Sequence, residues 1–537
     1  MTVSTVKPGT YWGRLRNFLR SLFFIPDPDL AFSFQQRELA QLHANTAVAT
    51  TASIDDQTWG DLLIDRYTAM LAEGVSIFGQ QVLYQRLRAG SDEAACTAHC
   101  ATVKALMADP EQLDRLHHAC RPLRRTGIEI AGLLFGQRLA QSRPAWTRWL
   151  GLAGPGFLAA VGATFVWPLA WVAVGLVFGL LLAIRFRYIA AIEGWNLSME
   201  SLQRLLGVCS TLGEGNAPLP DQFAGLRGRA GQINRGLSRS PIVMSISGAK
   251  DYLDWFALTN VLHYFRCQAQ VDDNIAFLRQ CHLLIANLEA DIALARHLQA
   301  TPLFCWAQRH AGPDIAFHAV RNPLLAHAMP LSIDLAGKGA FISGQNGVGK
   351  STLLRTIGLN LVVARAFGFC YATGAAVSTR PVYASMQNED AMLGGESLYI
   401  AELRRAKELL ASFHGPHAGI YIIDEIFRGT NYLESVSAAV AVLEELASKS
   451  MVIVSSHNLV LAPLLAPCLT PLCVSMSHGD SAQLSLLPGV LVHTNGISLL
   501  SERGFDARLQ TRASAVFDCL NRYLAHPTAP GDAAVPG

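Results

Sequence analysis

The first 300 residues repeat apolar positions at helical spacing. Leu62, Leu63, Tyr67, Met70 and Leu71 share one face, as do Val82, Leu83 and Leu87. Helical patterning continues through Ala95–Met107 and Glu111–Leu139, and again over 188–215 and 243–300. Within the last of these, Leu283, Leu284, Leu288, Ile292 and Leu298 form the apolar side of one long helix that Thr301-Pro302 closes. Beyond residue 300 the period changes. Short apolar runs, Gly339–Ile342, Gly419–Ile423 and Met451–Val454, read as buried strands alternating with helices. The pattern predicts a mixed fold: an all-α domain over 41–300 followed by an α/β domain over 301–505. A basic-aromatic segment (1–40) precedes them, and a helix with a disordered tail (506–537) follows.

One stretch fits neither pattern. Between Arg148 and Arg185 there is no charged residue. The run exceeds one spanning helix of about 20 residues, and Pro168 sits near its middle between Trp167 and Trp171. It predicts a transmembrane hairpin over 150–184, two helices with both ends cytoplasmic, because arginines stand on both sides: Arg138, Arg143 and Arg148 before, Arg185 and Arg187 after. A buried pair of soluble helices is the alternative. The N-terminal segment, with Lys7, Arg14, Arg16 and Arg20 among Tyr11, Trp12, Phe18, Phe23 and Phe24, suits an anionic membrane surface or a helix docked on its own domain. It lacks the long apolar region and cleavage site of a signal peptide. These features place the chain on the cytoplasmic face of a membrane, the inner membrane if the source is bacterial.

Composition sharpens this only slightly. Of 537 residues, 51% are hydrophobic and 16% charged, apolar for a soluble chain, and the net charge of +2 argues neither for nor against a nucleic-acid partner. The 11 cysteines are scattered, which reads as reduced thiols. Cys96, His99, Cys100, His117, His118 and Cys120 cluster in helical sequence without a CxxC pair, favouring helix packing over a zinc site. The stretch Gly213–Ser240, rich in Gly, Pro and Arg (Arg227, Arg229, Arg235, Arg239), reads as a mobile basic loop.

The chemistry lies in the second half. Gly344–Thr352 reads GQNGVGKST and fits G-x-x-x-x-G-K-[ST] directly after an apolar strand. Gly344, Asn346, Gly347 and Gly349 would let backbone N–H groups crowd phosphate oxygens at a helix N-terminus. Lys350 would neutralise the β- and γ-phosphates of ATP, with Ser351 and Thr352 opening the helix and Ser351 helping to hold Mg²⁺. The strand Gly419–Ile423 ends in Asp424-Glu425, where Asp424 would hold Mg²⁺ and Glu425 would orient or deprotonate water. Met451–Val454 leads to Ser455-Ser456-His457, placing a histidine to sense the γ-phosphate.

In detail these segments resemble the ATPase domain of MutS proteins. That family's phosphate loop reads GPNxxGKST, and its acidic strand continues DEIGRGTS, as Asp424–Asn431 does here in the form DEIFRGTN. Gly395–Leu403 resembles the family signature S-x-F-x-x-E-[ML], where general ABC transporters carry LSGGQ. Asn322-Pro323 stands where the family has His-Pro, Gly496-Ile497-Ser498 resembles a late S-x-G-I segment, and Gln80–Arg88 looks like the start of the MutS helical core. The resemblance covers roughly 315–500. It implies an ATPase that works as a homodimer, with Ser397 closing onto the partner's ATP and Arg428–Asn431 coupling the two sites. DNA binding of a mismatch-repair kind follows by analogy only, since no mismatch-reading domain, Phe-x-Glu wedge or nuclease tail is recognisable. The competing expectation is a membrane-bound, ATP-driven scaffold acting on a protein or lipid.

Overall fold

The computed structural model describes residues 34–47, 53–136, 145–213, 223, 225–239, 253–255, 258–386, 398–413, 419–477, 483–491 and 495–525. The chain forms two compact units that are not consecutive blocks of sequence. One comprises residues 1–41, 73–80 and 111–289; the other comprises 42–72, 81–110 and 290–537. The N-terminal basic-aromatic segment over 1–33 lies outside the described residues, as do Arg138 and Arg143.

The second unit is built on a six-stranded sheet of order β12-β11-β5-β10-β9-β8. Its strands are β5 (Gly339–Gly344), β8 (Val382–Ser385), β9 (Ile420–Asp424), β10 (Met451–Ser455), β11 (Leu469–Ser477) and β12 (Gln483–Pro488). All neighbours run parallel except the edge pair β11–β12. Every residue of β5, β9 and β10 is buried, which is why these strands read as continuous apolar runs without alternation. A smaller sheet combines β2 (Gln308–His310), β3 (Ile315–Val320), β4 (Leu331–Leu335) and β7 (Gly374–Ser378), and β1 (Cys305–Trp306) pairs with β6 (Phe369–Cys370). Helices Leu398–Phe413 and Tyr432–Ala447 cover one face of the large sheet, enclosing Phe341, Tyr421, Ile423, Val452 and Val454. Fully burying one such side chain contributes about 1.5–3 kcal/mol.

Residues 42–72 belong to this unit for a specific reason: they close its edge. Strand β8 is the last of the sheet, and its free backbone N–H groups would otherwise be exposed. Helix Asp56–Asp61 supplies the missing acceptors: Thr58 Oγ1 takes the Ala384 N–H at 2.9 Å and Asp61 Oδ2 takes the Met386 N–H at 2.9 Å. Arg405, buried, clamps the same corner, donating to the Ala384 carbonyl, to Thr58 Oγ1 at 3.1 Å and to Asp55 Oδ1 at 3.2 Å.

The first unit is helical. The apolar stretch is not a pair of matched spans. Its first half is a 3-10 segment, Ala145–Leu152, followed by the short α-helix Ala153–Ala163. Its second half is the start of a single 43-residue helix, Ala170–Leu212, the one described helix long and apolar enough to cross a membrane. Arg185 and Arg187 do not break a helix, so the segment expected as a separate helix from 188 continues the same rod. Gly151, Gly154 and Pro155 shorten the first arm. The arginine-rich stretch is also more ordered than expected, since Leu226–Leu237 is a helix burying Leu226, Ala230, Ile233 and Leu237. Its glycines masked that spacing in the sequence.

Asp61 carries a testable consequence. Burial, only partly offset by the Met386 N–H and by Arg405, raises its pKa from 3.8 to about 6, and its Oδ1 is buried without a partner. The folded chain therefore retains a proton that the unfolded chain releases, so this group favours folding below pH 3.8 and loses that contribution as pH rises through about 6. Asp61→Asn should flatten this part of the stability profile. Thermal unfolding of both proteins across that pH range measures it, and an unchanged slope in the variant would exclude Asp61 as the titrating group.

Candidate nucleotide site

The parallel register brings three strand ends together. Ser455 of β10 stands opposite both Asp424 of β9 and Ile342 of β5, so the loop after β5, the acids after β9 and the histidine after β10 emerge at one carboxyl edge. Ligand sites of open α/β sheets lie at such an edge.

The glycine loop leads into helix Lys350–Phe367. Gly347 (φ 80°) and Gly349 (φ 97°, the helix N-cap) occupy left-handed backbone, where a Cβ is strained. Lys350 is buried, and its ammonium folds back onto the loop, donating to the carbonyls of Gly344 at 2.9 Å and Gln345 at 3.2 Å. Burial lowers its pKa, while the charges of Glu425 and Asp424 act in the opposite sense. Ser351 and Thr352 form the first turn of that helix, and its N–H groups open onto the loop.

Asp424 is buried and accepts a hydrogen bond from the Ser455 hydroxyl through Oδ1. Glu425 takes a left-handed φ of 57° and Phe427 one of 56°, each costing about 1–2 kcal/mol for a residue with a Cβ. The Glu425 N–H donates to Ser455 O at 2.9 Å, which holds that strained turn against β10. Burial pushes the Glu425 carboxyl up. The His457 hydrogen bond and the charges of Arg428, His457 and Lys350 outweigh that and hold it below its usual value. The contacts are direct: His457 Nε2 lies 2.8 Å from Oε1, and an Arg428 guanidinium nitrogen lies 2.9 Å from Oε2.

Two residues of this neighbourhood take on tasks that the sequence did not announce. Glu402, on helix Leu398–Phe413, accepts the backbone N–H groups of Arg428 at 2.8 Å and Gly429 at 3.3 Å. As the glutamate of the signature segment, it thereby joins that segment to the turn after the acids. Asn495 grips the glycine loop: its Oδ1 accepts the Asn346 N–H at 2.9 Å and its Nδ2 donates to Asn346 O at 3.3 Å. The adjoining G-I-S resemblance was the only hint of it. Ser397 lies outside the described residues.

Beside the loop opens a cavity of about 230 Å³, lined in part by Asn322, His327, Met329, Gly347, Val348 and Thr352. Asn322, in the place of the family histidine, is buried and accepts the Leu324 N–H at 3.0 Å. The donor set for a hard cation is one hydroxyl, Ser351, and one carboxylate, Asp424, with a single Asp424 oxygen engaged by Ser455. That set fits Mg²⁺ completed by phosphate oxygens and water. Among the described residues no group of three or more His, Cys, Asp or Glu side chains could hold a metal by itself. The Cys96 region is packing: Cys96 and Cys100 lie 3.9 Å apart, Cys100 reaches Phe367 O at 3.3 Å, and His99 pairs with Asp291 at 3.2 Å. All 11 cysteines are free.

Fold and site together define an open α/β domain with a phosphate-loop sequence on its central strand and paired acids on the next strand but one. Residues 340–485 match MutS domain V. The DNA mismatch repair protein MutS of Thermus thermophilus is 25% identical over 255 residues, 45% of this chain and 30% of that protein. MutS of Myxococcus xanthus is 27% identical over 180 residues (32% and 20%), and the mismatch repair protein MSH3 of Mycosarcoma maydis 31% over 125 (23% and 11%). Over this domain the chain is similar to MutS family proteins. It spans about a third or less of the length of these relatives.

The Asn495 grip predicts a local effect. Losing two hydrogen bonds of about 1 kcal/mol each should raise amide exchange at Asn346 and Gly347 by roughly thirtyfold in Asn495→Ala. Hydrogen exchange read by mass spectrometry measures it; unchanged exchange in the loop would show that Asn495 does not hold it.

Proposed function

We propose that the chain binds and hydrolyses ATP at the carboxyl edge of the large sheet. The convergence of Lys350, Asp424, Glu425 and His457 on the ends of adjacent parallel strands carries this reading. Glycine-loop N–H groups and the positive end of helix Lys350–Phe367 bind the phosphates, and Lys350 leaves the Gly344 and Gln345 carbonyls to meet them. The cavity walled by Asn322, His327 and Met329 accommodates the remainder of the nucleotide. Ser351 and Asp424 would hold Mg²⁺, which supplies charge neutralisation on the phosphate oxygens when bound. Glu425, kept ionised by His457 and Arg428, orients the attacking water and accepts its proton. Because Arg428 and His457 occupy both carboxylate oxygens here, at least one must yield for water to reach Glu425.

The further reading rests on the family. Its members named above are DNA mismatch repair proteins, and we propose that ATP turnover is coupled to DNA in a homodimer in which Ser397 completes the partner's site. The exposed apolar arms within 150–184 favour attachment to a membrane with both ends on the cytoplasmic face. They also keep open a second reading, an ATP-driven membrane scaffold that moves a protein or lipid partner without reading mismatches.

Lys350→Ala should abolish nucleotide binding. Glu425→Gln should retain binding and lower turnover by roughly 10²-fold or more, as expected for loss of a general base. Wild-type turnover in Glu425→Gln would remove Glu425 from that role. DNA coupling is tested by ATPase rates of the full-length protein with homoduplex, mismatched and branched DNA over a range of salt. Stimulation that fades with salt supports it; rates indifferent to every DNA favour the scaffold.

A further inference from the structure

The apolar arms show where a membrane would begin and how deep the chain would reach. Near their base they are covered by protein: Leu150, Leu181 and Ile192 are buried with Leu258, Val261 and Phe265 of helix Thr259–Asp273 or its start. That helix also carries Arg266, Asp272 and Asp273, charges that hydrocarbon excludes. Arg185 is anchored at the same level, its guanidinium 4.2 Å above the Trp255 ring. The level of Leu181 to Arg185 therefore marks the aqueous boundary.

Past that level the covering stops. Leu158, Trp171, Leu176 and Leu180 are exposed, and only 11% of the apolar window of the long helix is buried. From Ala170 to Leu180 the helix extends about 17 Å, and Ala153–Ala163 gives the same reach at 1.5 Å per residue. A bilayer's hydrocarbon core is about 30 Å thick. The arms cover little more than half of it.

The turn joining them is built for hydrocarbon. It carries the two most exposed apolar groups of the hairpin, Phe165 at 89% and Val166 at 87% accessible. Most of its backbone N–H groups, that of Leu169 apart, are paired locally. The N–H groups of Thr164, Phe165 and Val166 donate to Val161, Gly162 and Ala163, and that of Trp167 donates to Ala163. Pro168 has no N–H, and those of Ala170, Trp171 and Val172 donate to Trp167, Pro168 and Leu169. Thr164, the turn's polar side chain, spends its hydroxyl on Val161 O at 2.6 Å. Local pairing of this kind favours a place in lipid, where a backbone N–H finds no water to bind.

We propose that residues 149–180 form a one-leaflet anchor. It enters the bilayer from the side on which Arg185 and Arg187 lie, turns at Phe165–Leu169 near the midplane, and returns without exposing any residue to the far aqueous phase. This rests on the membrane reading above and replaces two spans by a wedge. Such an anchor occupies area in one leaflet only.

The test uses full-length protein added to preformed vesicles of phosphatidylethanolamine and phosphatidylglycerol, with Val166→Cys and, as an aqueous control, Asn196→Cys. A membrane-impermeant maleimide is supplied outside the vesicles or trapped within them, and each thiol is read by peptide-resolved mass spectrometry. The anchor requires that the protein floats with vesicles, that Cys at 196 labels from outside, and that Cys at 166 labels from neither side until detergent is added. Labelling of 166 from the lumen overturns the one-leaflet depth and leaves membrane attachment standing. Failure to float, with 166 labelled freely in solution, removes the membrane reading itself. A second variant guards against a silent thiol. Trp167→Glu should lower the vesicle-bound fraction by about tenfold or more, since a carboxylate would be forced to the bilayer centre. Unchanged binding would place the turn in water and overturn the proposal.

Discussion

The site depends on one backbone relation, the parallel register that sets Ser455 beside Asp424. From it follow the Ser455 hydroxyl bond to Asp424 and the Ser455 carbonyl bond to the Glu425 N–H. The second of these holds a non-glycine residue in left-handed backbone, and the turn in turn aims Glu425 between His457 and Arg428. A register slip of one residue would send every side chain of the strand to the opposite face. The apolar packing around Phe341, Tyr421 and Val454 is therefore as much a part of the chemistry as the charged groups, because it makes any other register costly.

Ionisation and backbone strain are linked at the same place. Glu425 is half-enclosed, a setting that by itself favours the neutral acid, yet the His457 hydrogen bond and the Arg428 charge keep it a carboxylate. Glu402 stabilises the turn from the other side by accepting the Arg428 and Gly429 amides. One carboxylate thus shapes the loop and another occupies it. Movement of helix Leu398–Phe413 would be felt at Glu425 through Arg428 with no intervening element.

How much of this could be read from the chain varied with the kind of signal. Gly344–Thr352, Asp424-Glu425 and His457 were legible because fixed spacing and apolar strands announce them, and the sheet order only brings them together. The tasks of Asn495 and of Glu402, the latter placed by the signature segment, were not legible, because each acts through a backbone contact across about 149 and 26 residues of sequence. No periodicity encodes that. The helix at Leu226–Leu237 was hidden by its own glycines, and the long helix after Ala170 by an assumption that charge ends a helix as well as a membrane span. The assignment of residues 42–72 to the sheet unit was invisible for a simpler reason. Thr58 and Asp61 lie on an ordinary short helix, and their task is set by a strand more than 300 residues later.

That last arrangement bears on how the domain can be handled. The strand β8 edge is completed by side chains from the N-terminal part of the chain, so the sheet is closed by residues that a cut near 300 would remove. A fragment starting at residue 301 would keep every motif of the site and still present bare amides at Ala384 and Met386, together with the Arg405 guanidinium stripped of Asp55 and Thr58. Such an edge is a template for strand addition. Insolubility of the fragment would reflect a missing cap and say nothing about the competence of the site it contains.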